Sequence, residues 1–193
     1  MQERLQPGAF APSFDFLNYD GKIVSLSAYR GKKIWLAFYR YSSCPLCLDH
    51  FSEVVLAHQE LRDAKTEFIA VFESKTIDLT RNPCTRAPVF YPMIADSELK
   101  LYQLYGVERS PLGLFHPSVL FKLGKAIAHG FPQKSVTGSI DRLPAHFLID
   151  EDGLLHTTHY GSNIADQIPW WKVKRFLAMK KENSDQWSKF HYR

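Results

Sequence analysis

Residues 34–47 read IWLAFYRYSSCPLC and contain the clearest structural signal in the chain. Its first six residues form a continuous apolar run, which predicts a strand buried on both faces, as in the centre of a parallel or mixed sheet. Pro45 can occupy the first position of a helix, where its missing N–H costs nothing. We therefore expect a buried strand to deliver the chain to Cys44 and Cys47 at the start of a helix. Residues at helical spacing continue this helix: Leu48, Phe51, Val54, Val55, His58 and Leu61.

Three further segments extend this unit into an α/β fold. Residues 66–72 form a second apolar run, so the order is strand, helix, strand, which implies a parallel pair with a right-handed crossover. Residues 14–26 alternate apolar and polar side chains around a turn at Asp20-Gly21, which predicts an N-terminal hairpin. Residues 145–150 and 154–160 flank the turn Glu151-Asp152-Gly153 and predict a second hairpin.

The remaining helices and strands have weaker sequence patterns. We expect a short strand at 90–95 and a helix at 97–105, with Ser97 as its cap and Gly106 as its stop. Further helices are predicted at 116–129 and from about Trp170 to Lys180, and residues 74–86 read as a helix followed by a loop. Because the sequence shows no internal repeat and no interdomain linker, we expect residues 1–193 to form a single domain with a helical insertion near 110–138.

Composition narrows the functional classes. The formal net charge is only +4 and the cations are spread out, apart from a cluster at 172–181 that reads as the solvated face of the last helix, so we expect no nucleic-acid partner. No apolar run reaches the length of a membrane span, and the polar residues 1–8 do not resemble a signal peptide, so a cytoplasmic location is predicted. Three cysteines are too few and too unevenly spaced for a disulfide scaffold.

The Cys44-Pro45-Leu46-Cys47 step carries the candidate chemistry. Unpaired N–H groups and the helix dipole favour a thiolate at a helix start, where cysteine pKa values fall to roughly 3.5–7.5. The spacing also lets the two sulfurs bridge with little backbone movement. Two alternatives stay open: a pair of structural buried thiols, or a metal site in which His50, three residues after Cys47, adds a third ligand.

Short matches along most of the chain resemble the peroxiredoxin-like branch of the AhpC/TSA family, in the thioredoxin superfamily. The resemblance implies a thioredoxin-like three-layer α/β/α fold with a central mixed sheet, and the Cys-x-x-Cys form is similar to the group that includes selenoprotein L. The matching segments are residues 8–14, 26–27, 31–32, 38–40, 44–47, 95–96, 101–102, 106–107, 143–150, 160–161 and 168–170.

Site roles follow from the family's Pro-x-x-x-Thr/Ser-x-x-Cys motif. Laid on this chain, its peroxidatic cysteine matches Cys47, while Cys44 and Arg40 stand where the family has the hydroxyl and the proline. Cys47 would attack peroxide and Cys44 would condense with the sulfenic acid. In the thioredoxin-like alternative, Cys44 attacks first. Arg142 is the nearest match to the arginine that orients peroxide in the family, and Pro144 is expected to be a cis-proline beside the cysteines.

The resemblance implies no cofactor, only an external thiol reductant such as thioredoxin or glutathione and a small peroxide or disulfide substrate. Relatives often form homodimers. Two other functions remain: a copper- or other metal-handling protein that uses Cys44, Cys47 and a histidine, and a redox-responsive binding domain without turnover. Arg40 reads equally as a charge that lowers the thiol pKa values or as a simple strand-end charge. Cys84 reads either as a second resolving thiol or, as we expect, as a spectator.

Overall fold

A five-stranded mixed sheet organises residues 3–81 and 91–179, which the computed structural model describes. The strands are β1 (Asp15–Leu17), β2 (Ile23–Ser25), β3 (Lys33–Tyr39), β4 (Thr66–Phe72), β5 (Met93–Ala95), β6 (Ala145–Ile149) and β7 (Leu155–Tyr160). The helices are α1 (Pro45–Leu56), α2 (His58–Asp63), α3 (Thr76–Thr80), α4 (Lys100–Leu104), α5 (Pro117–Ala128) and α6 (Trp170–Ala178). Short 3-10 turns occupy Leu26–Tyr29 and Pro111–Leu114.

The sheet order is β5-β4-β3-β6-β7. Strand β3 pairs in parallel with β4, as the strand–helix–strand pattern predicted, and antiparallel with β6. The predicted C-terminal hairpin is β6 with β7, and the predicted N-terminal hairpin is β1 with β2, which form a separate two-stranded sheet. The mixed sheet and both hairpins are therefore confirmed.

Strand β3 is buried along its whole length, as its apolar run predicted. Successive side chains of a strand point to opposite faces. Trp35, Ala37 and Tyr39 accordingly pack on one face, in an apolar cluster that contains both cysteines and residues of α1, α5 and α6. Leu36 and Phe38 pack on the other face, against α4 and the 3-10 turn at Leu26–Tyr29. Helices thus cover both faces, which gives the expected three layers.

Two helix predictions need correction. The single helix expected from Pro45 through Leu61 divides at Ala57, whose ψ of 11° lies outside the helical range. The helix expected at 97–105 begins only at Lys100, because Leu99 adopts a left-handed conformation with a φ of 62°. Its exposed amides are capped by Asp96 instead of Ser97: the carboxylate accepts from the N–H groups of Lys100 at 2.9 Å and Leu101 at 2.7 Å.

The two later helices lie where the sequence placed them. Helix α5 occupies 117–128 within the predicted 116–129, and α6 begins at Trp170 as predicted. Helix α5 packs against α1, and so lies beside the helix that carries the cysteines. Within the two described ranges, every helix is too short or too polar to cross a bilayer. The expected spectator Cys84 lies outside the described residues.

Candidate active site

Cys44 and Cys47 lie at the start of α1, directly after the carboxyl end of β3. Cys44 is the N-cap residue, with an extended backbone, and its sulfur accepts a hydrogen bond from the N–H of Cys47 at 3.3 Å. Pro45 occupies the first helical turn, as predicted. The sulfur of Cys44 therefore takes the position at which a serine or aspartate side chain normally caps a helix.

Arg40 binds both sulfurs, one through its side chain and one through its backbone. Its guanidinium Nη2 lies 3.0 Å from the Sγ of Cys44, and its backbone N–H donates to the Sγ of Cys47 at 3.4 Å. The other terminal nitrogen, Nη1, donates to the carbonyl of Ile140 at 2.6 Å. Of the two interpretations of Arg40, the geometry favours the charge placed beside the thiols over a simple strand-end charge.

These contacts give the two thiols different pKa values. Burial raises the pKa of Cys44, but the hydrogen bonds from Cys47 and the positive charge of Arg40 outweigh it and lower the pKa to about 7. Burial also raises the pKa of Cys47, and the adjacent Cys44 raises it further, so this pKa lies well above its ordinary value. Near neutral pH, Cys44 is thus the sulfur that these contacts favour as a thiolate.

Both cysteines are buried, with exposures of 0% for Cys44 and 1% for Cys47. Residues 131–140, here called the cover segment, lie across the loop that precedes Cys44. Tyr41 donates its hydroxyl to Gln133 at 3.0 Å, the hydroxyl of Ser43 donates to the carbonyl of Ser135, and Arg40 holds Ile140. The cover segment contains no helix or strand, and its residues are half-buried to exposed. These bonds hold the cover segment against the loop that leads into α1.

Glu73 also holds the carboxyl end of the cover segment, next to Ile140. Its Oε1 accepts from the backbone N–H of Ser139 at 3.1 Å and also from the hydroxyl of that serine. Gly138 lies so close that a Cβ added there would stand 2.4 Å from the carbonyl oxygen of Glu73. The close approach of two backbones requires glycine at this position.

Arg142, the residue matched to the peroxide-orienting arginine, is buried in a different set of contacts. Its Nε donates to Glu73 at 2.8 Å, Nη1 donates to the carbonyl of Val107 at 3.1 Å, and the guanidinium lies over the Tyr102 ring. These bonds join Arg142 to Glu73, which in turn binds Ser139 of the cover segment. The guanidinium that contacts a sulfur belongs to Arg40.

Pro144 stands at the start of β6, beside a residue of the cysteine-containing cluster, Leu143. Its carbonyl accepts from the N–H of Gly161 at 2.8 Å. The expectation of a cis bond here is wrong, because all peptide bonds of the described residues are trans. The trans form is the one that X–Pro bonds intrinsically favour.

His50, the candidate third metal ligand, belongs to a buried network instead. Its Nδ1 lies 2.8 Å from the Tyr39 hydroxyl, and its ring packs at 5.0 Å from that of His146. Burial lowers the pKa of His50 to about 3. Across residues 3–81 and 91–179, no three His, Cys, Asp or Glu side chains are grouped so that they could hold a metal ion. The arrangement of these residues gives the metal-handling alternative no support.

Sequence reasoning missed Glu73 and the cover segment. Glu73 follows strand β4, and the residues that it binds lie more than sixty positions further along the chain. A single sequence carries no signal for such a pairing. Gly138 was the one local sign, because a glycine within a loop is compatible with a close backbone approach.

The fold and the site together define a thioredoxin-fold protein with a dithiol at a helix start. The chain belongs to the AhpC/TSA family, whose model matches residues 7–158. Two curated relatives from Mycobacterium tuberculosis strains, "Putative peroxiredoxin Rv2521" and "Putative peroxiredoxin MT2597", are each 24% identical over 176 residues, which cover 91% of this chain and 97% of the relative. Family membership supports a thiol-based redox function.

Solved structures confirm the thioredoxin-like fold. Peroxidoxin BcpB from Mycobacterium tuberculosis superposes with a TM-score of 0.64 at 16% identity, covering 90% of this chain and 97% of that chain. A "putative Thiol:disulfide interchange protein DsbE" from Chlorobium tepidum superposes with a TM-score of 0.61 at 20% identity, covering 90% of this chain and 99% of that chain. At these identities the likeness concerns the fold alone.

Proposed function

We propose that this protein is a thiol oxidoreductase that reduces small peroxides or disulfides through a Cys44/Cys47 dithiol–disulfide cycle. The observation that carries this function is the 3.0 Å contact between the Arg40 guanidinium and the Cys44 sulfur at the start of α1. A buried cation beside a capping sulfur stabilises the thiolate, which is the nucleophilic form of cysteine.

Cys44 attacks first in this scheme. With a peroxide, its thiolate forms an S–O bond as the O–O bond breaks, and the leaving oxygen departs as an alcohol or water after taking a proton. The Cys47 sulfur then attacks the sulfenic acid, loses its proton and releases water as the S–S bond forms. With a disulfide, Cys44 forms a mixed disulfide and Cys47 displaces the second thiolate. The pKa values of the two cysteines favour this order over the family alignment, which gave the first attack to Cys47.

An external thiol reductant, such as thioredoxin or glutathione, returns the pair to the dithiol state and supplies the two electrons of each turnover. No resident cofactor enters these steps. Arg40 holds the thiolate, Pro45 starts the helix that presents it, and Arg142 acts as a positioning residue through Glu73. The peroxiredoxin names of the two relatives favour a small peroxide as the substrate.

Serine variants of the two cysteines test the roles. We expect Cys47→Ser to accumulate a stable mixed disulfide at Cys44 when treated with a small aromatic disulfide, because no second thiol can resolve it. Cys44→Ser should form this adduct at least about tenfold more slowly, since the thiol pKa of Cys47 is high. Intact-mass spectrometry and the release of the aromatic thiol measure both reactions. A faster reaction at Cys47 would restore the order that the alignment implied.

The natural oxidant is tested with the unaltered chain. One equivalent of hydrogen peroxide or of an alkyl hydroperoxide should consume two thiols and yield an intramolecular Cys44–Cys47 link, which peptide mapping identifies. Failure with peroxides but success with disulfides would limit the protein to thiol–disulfide exchange. We further propose that one domain spanning 1–193 does this work in the cytoplasm, as a monomer or a homodimer, which light scattering distinguishes.

A further inference from the structure

A cleft lies on one side of α1, between α5 and residues 165–170, which lead into α6. Its volume is about 410 Å³, within the range of small-molecule sites. Leu46, which separates the two cysteines in the sequence, is one of its lining residues, but neither cysteine lines the cleft. The cleft is therefore distinct from the candidate active site, although both share helix α1.

Two residues of this cleft carry buried nitrogens without a hydrogen-bond partner. Among residues 3–81 and 91–179, three buried side-chain polar atoms have no partner, and two of them are His50 Nε2 and Gln167 Nε2. Both residues line the cleft, and His50 is only 5% exposed. Burial of a polar group without a hydrogen bond is unfavourable, and such groups are rare in native structures. Their occurrence in the wall of one cleft calls for an explanation.

Hydrogen bonds behind the cleft establish that Gln167 presents a donor. The indole of Trp35 can only donate, so Nδ1 of His146 accepts from it at 3.1 Å. Burial holds the pKa of His146 well below its ordinary value, so the ring is neutral and its proton is on Nε2. This N–H donates to Oε1 of Gln167 at 2.7 Å. The atom of Gln167 that lacks a partner is therefore its NH2 group, which needs an acceptor.

His50 presents a donor for a similar reason. The Tyr39 hydroxyl lies 2.8 Å from Nδ1, and it donates to this nitrogen because a phenol is a stronger acid than a neutral imidazole. Burial, together with the nearby charge of Lys122, lowers the pKa of His50 to about 3, so the ring is neutral. Nε2 then carries the proton. Two N–H groups of the cleft wall thus lack acceptors.

Two carboxylates of the cleft have partners within the fold. Oδ1 of Asp49 lies 2.7 Å from Nδ1 of His129. Glu53 accepts from Lys125 and from the Trp170 indole, each at 3.3 Å. These carboxylates are therefore engaged on the same side of α1 as the two unpaired donors.

The remaining charged groups of the cleft complete this picture. Asp166 accepts from the backbone N–H and the hydroxyl of Ser162 at 2.8 and 2.9 Å. Lys122 donates to the carbonyl of Ala165 at 2.8 Å, and its ammonium group has two further N–H bonds. The groups with spare hydrogen-bonding capacity are donors, and a negatively charged oxygen is their strongest partner.

We propose that this cleft binds a small organic carboxylate, whose oxygens accept hydrogen bonds from His50 Nε2, the Gln167 amide and the Lys122 ammonium. Phe121 and Trp170 line the cleft beside these donors, and Phe121 is 76% exposed. Their rings offer a contact surface for an apolar part of the ligand. This binding needs no thiol chemistry, so the site stands or falls separately from the proposed dithiol cycle.

Benzoate is the test ligand, and benzylamine, which has the same ring but carries a cation, is its control. Isothermal titration calorimetry on the unaltered, reduced chain at pH 7 should show benzoate binding at least about tenfold more tightly than benzylamine. In nuclear magnetic resonance spectra of the 15N-labelled chain, benzoate should shift the side-chain signals of His50 and Gln167. Equal binding of the two compounds, no binding of benzoate, or shifts confined to other residues would overturn the proposal.

Variants of two donors locate the binding. Gln167→Glu replaces the NH2 donor with an acceptor and should weaken benzoate binding at least about tenfold. Lys122→Met removes an exposed cation and should weaken it about fivefold. The matched controls are Gln103→Glu and Lys100→Met, exposed positions of α4 on the other face of the sheet, and both should bind benzoate as the unaltered chain does.

Unchanged affinity in either folded variant would refute the assigned contacts. Lys122→Met changes only an exposed side chain, so it decides the matter if Gln167→Glu does not fold. Activity with peroxides or disulfides is measured separately on the same variants. Loss of benzoate binding with an intact dithiol cycle is the expected result for Lys122→Met.

Discussion

Glu73 and Arg142 form a buried ion pair, in which the arginine Nε lies 2.8 Å from Oε2 of the carboxylate. The other carboxylate oxygen accepts from the backbone N–H of Ser139, inside the cover segment. This pair therefore ties together the carboxyl end of β4, the entry to β6 and the cover segment. Breaking this ion pair should lower the stability of the fold and increase the access of reagents to the sulfurs.

Arg142→Met should lower the free energy of unfolding by about 3–5 kcal/mol, because removal of one partner leaves the carboxylate of Glu73 buried without its cation. Urea denaturation followed by circular dichroism measures this loss. The double variant Glu73→Met/Arg142→Met should recover part of it, since the unpaired charge is then gone.

The exposed pair of Lys32 with Glu67 provides the control. The two side chains are 53% and 39% exposed, so Lys32→Met should cost about 1 kcal/mol or less. If Arg142→Met instead keeps full stability but loses peroxide reduction alone, the arginine acts on substrate, as the family alignment implied, and the positioning role is wrong.

Gly138→Ala should loosen the cover segment. The added Cβ would stand 2.4 Å from the Glu73 carbonyl oxygen, so the two backbones must separate. We expect a loss of about 1–3 kcal/mol in stability and faster alkylation of Cys44 by iodoacetamide. Gly124→Ala is the matched control, because its Cβ would meet nothing within 4 Å and helix α5 should gain up to about 1 kcal/mol. Unchanged alkylation in Gly138→Ala would mean that the cover segment does not limit access.

The pH dependence of alkylation reports on the Cys44 thiol. In Cys47→Ser, where the serine hydroxyl keeps a donor near the sulfur, the iodoacetamide rate should rise with pH and reach half its maximum near the pKa of Cys44, at about 7. Adding Arg40→Met should move the midpoint upward by about one unit or more, because an adjacent cation favours the thiolate. A midpoint that stays the same when Arg40→Met is added would contradict the electrostatic account of the site.

Stability should fall on mild acidification because of two buried histidines. Burial lowers the pKa of His50 to about 3 and that of His146 well below its ordinary value. The unfolded chain therefore binds protons at these groups as the pH falls below about 6.5, whereas the folded chain does not. Each histidine then contributes a slope of about 1.4 kcal/mol of unfolding free energy per pH unit, with stability lost toward acid.

Urea denaturation at a series of pH values from neutral to mildly acidic measures this slope. His50→Gln removes one of the buried titrating groups and should flatten the profile. His116→Gln alters an exposed histidine at the start of α5 and should leave it unchanged. Parallel profiles for His50→Gln and the unaltered chain would show that His50 is protonated as readily when folded as when unfolded.

The sheet and the position of the dithiol could be predicted from the sequence, because both depend on local patterns. The apolar run before Arg40 predicts a buried strand, and the proline inside Cys-x-x-Cys predicts the start of a helix. Each of these signals lies within a few residues. The ends of α4 were misplaced because Asp96 offers several acceptors at once, whereas the expected cap, Ser97, offers one hydroxyl.

The environment of the dithiol could not be predicted in this way. The contacts around the two cysteines join residues that are far apart in the sequence, such as Ile140 with Arg40 and Ser139 with Glu73. Local sequence propensities do not predict which distant residues come into contact. The family alignment identified the relevant arginine as Arg142, while the contacts of the fold place Arg40 at the sulfur.

The cap of α1 is also the sulfur that we propose to react first. Cys44 Sγ accepts the amide of Cys47, and a thiolate is a much better acceptor than a neutral disulfide sulfur. Each oxidation therefore weakens the anchoring of the first helical turn, and each reduction renews it. If the pair cycles as proposed, the amino-terminal turn of this helix should fray when the disulfide forms, and backbone amides at residues 46–48 should exchange with solvent faster in the oxidised protein.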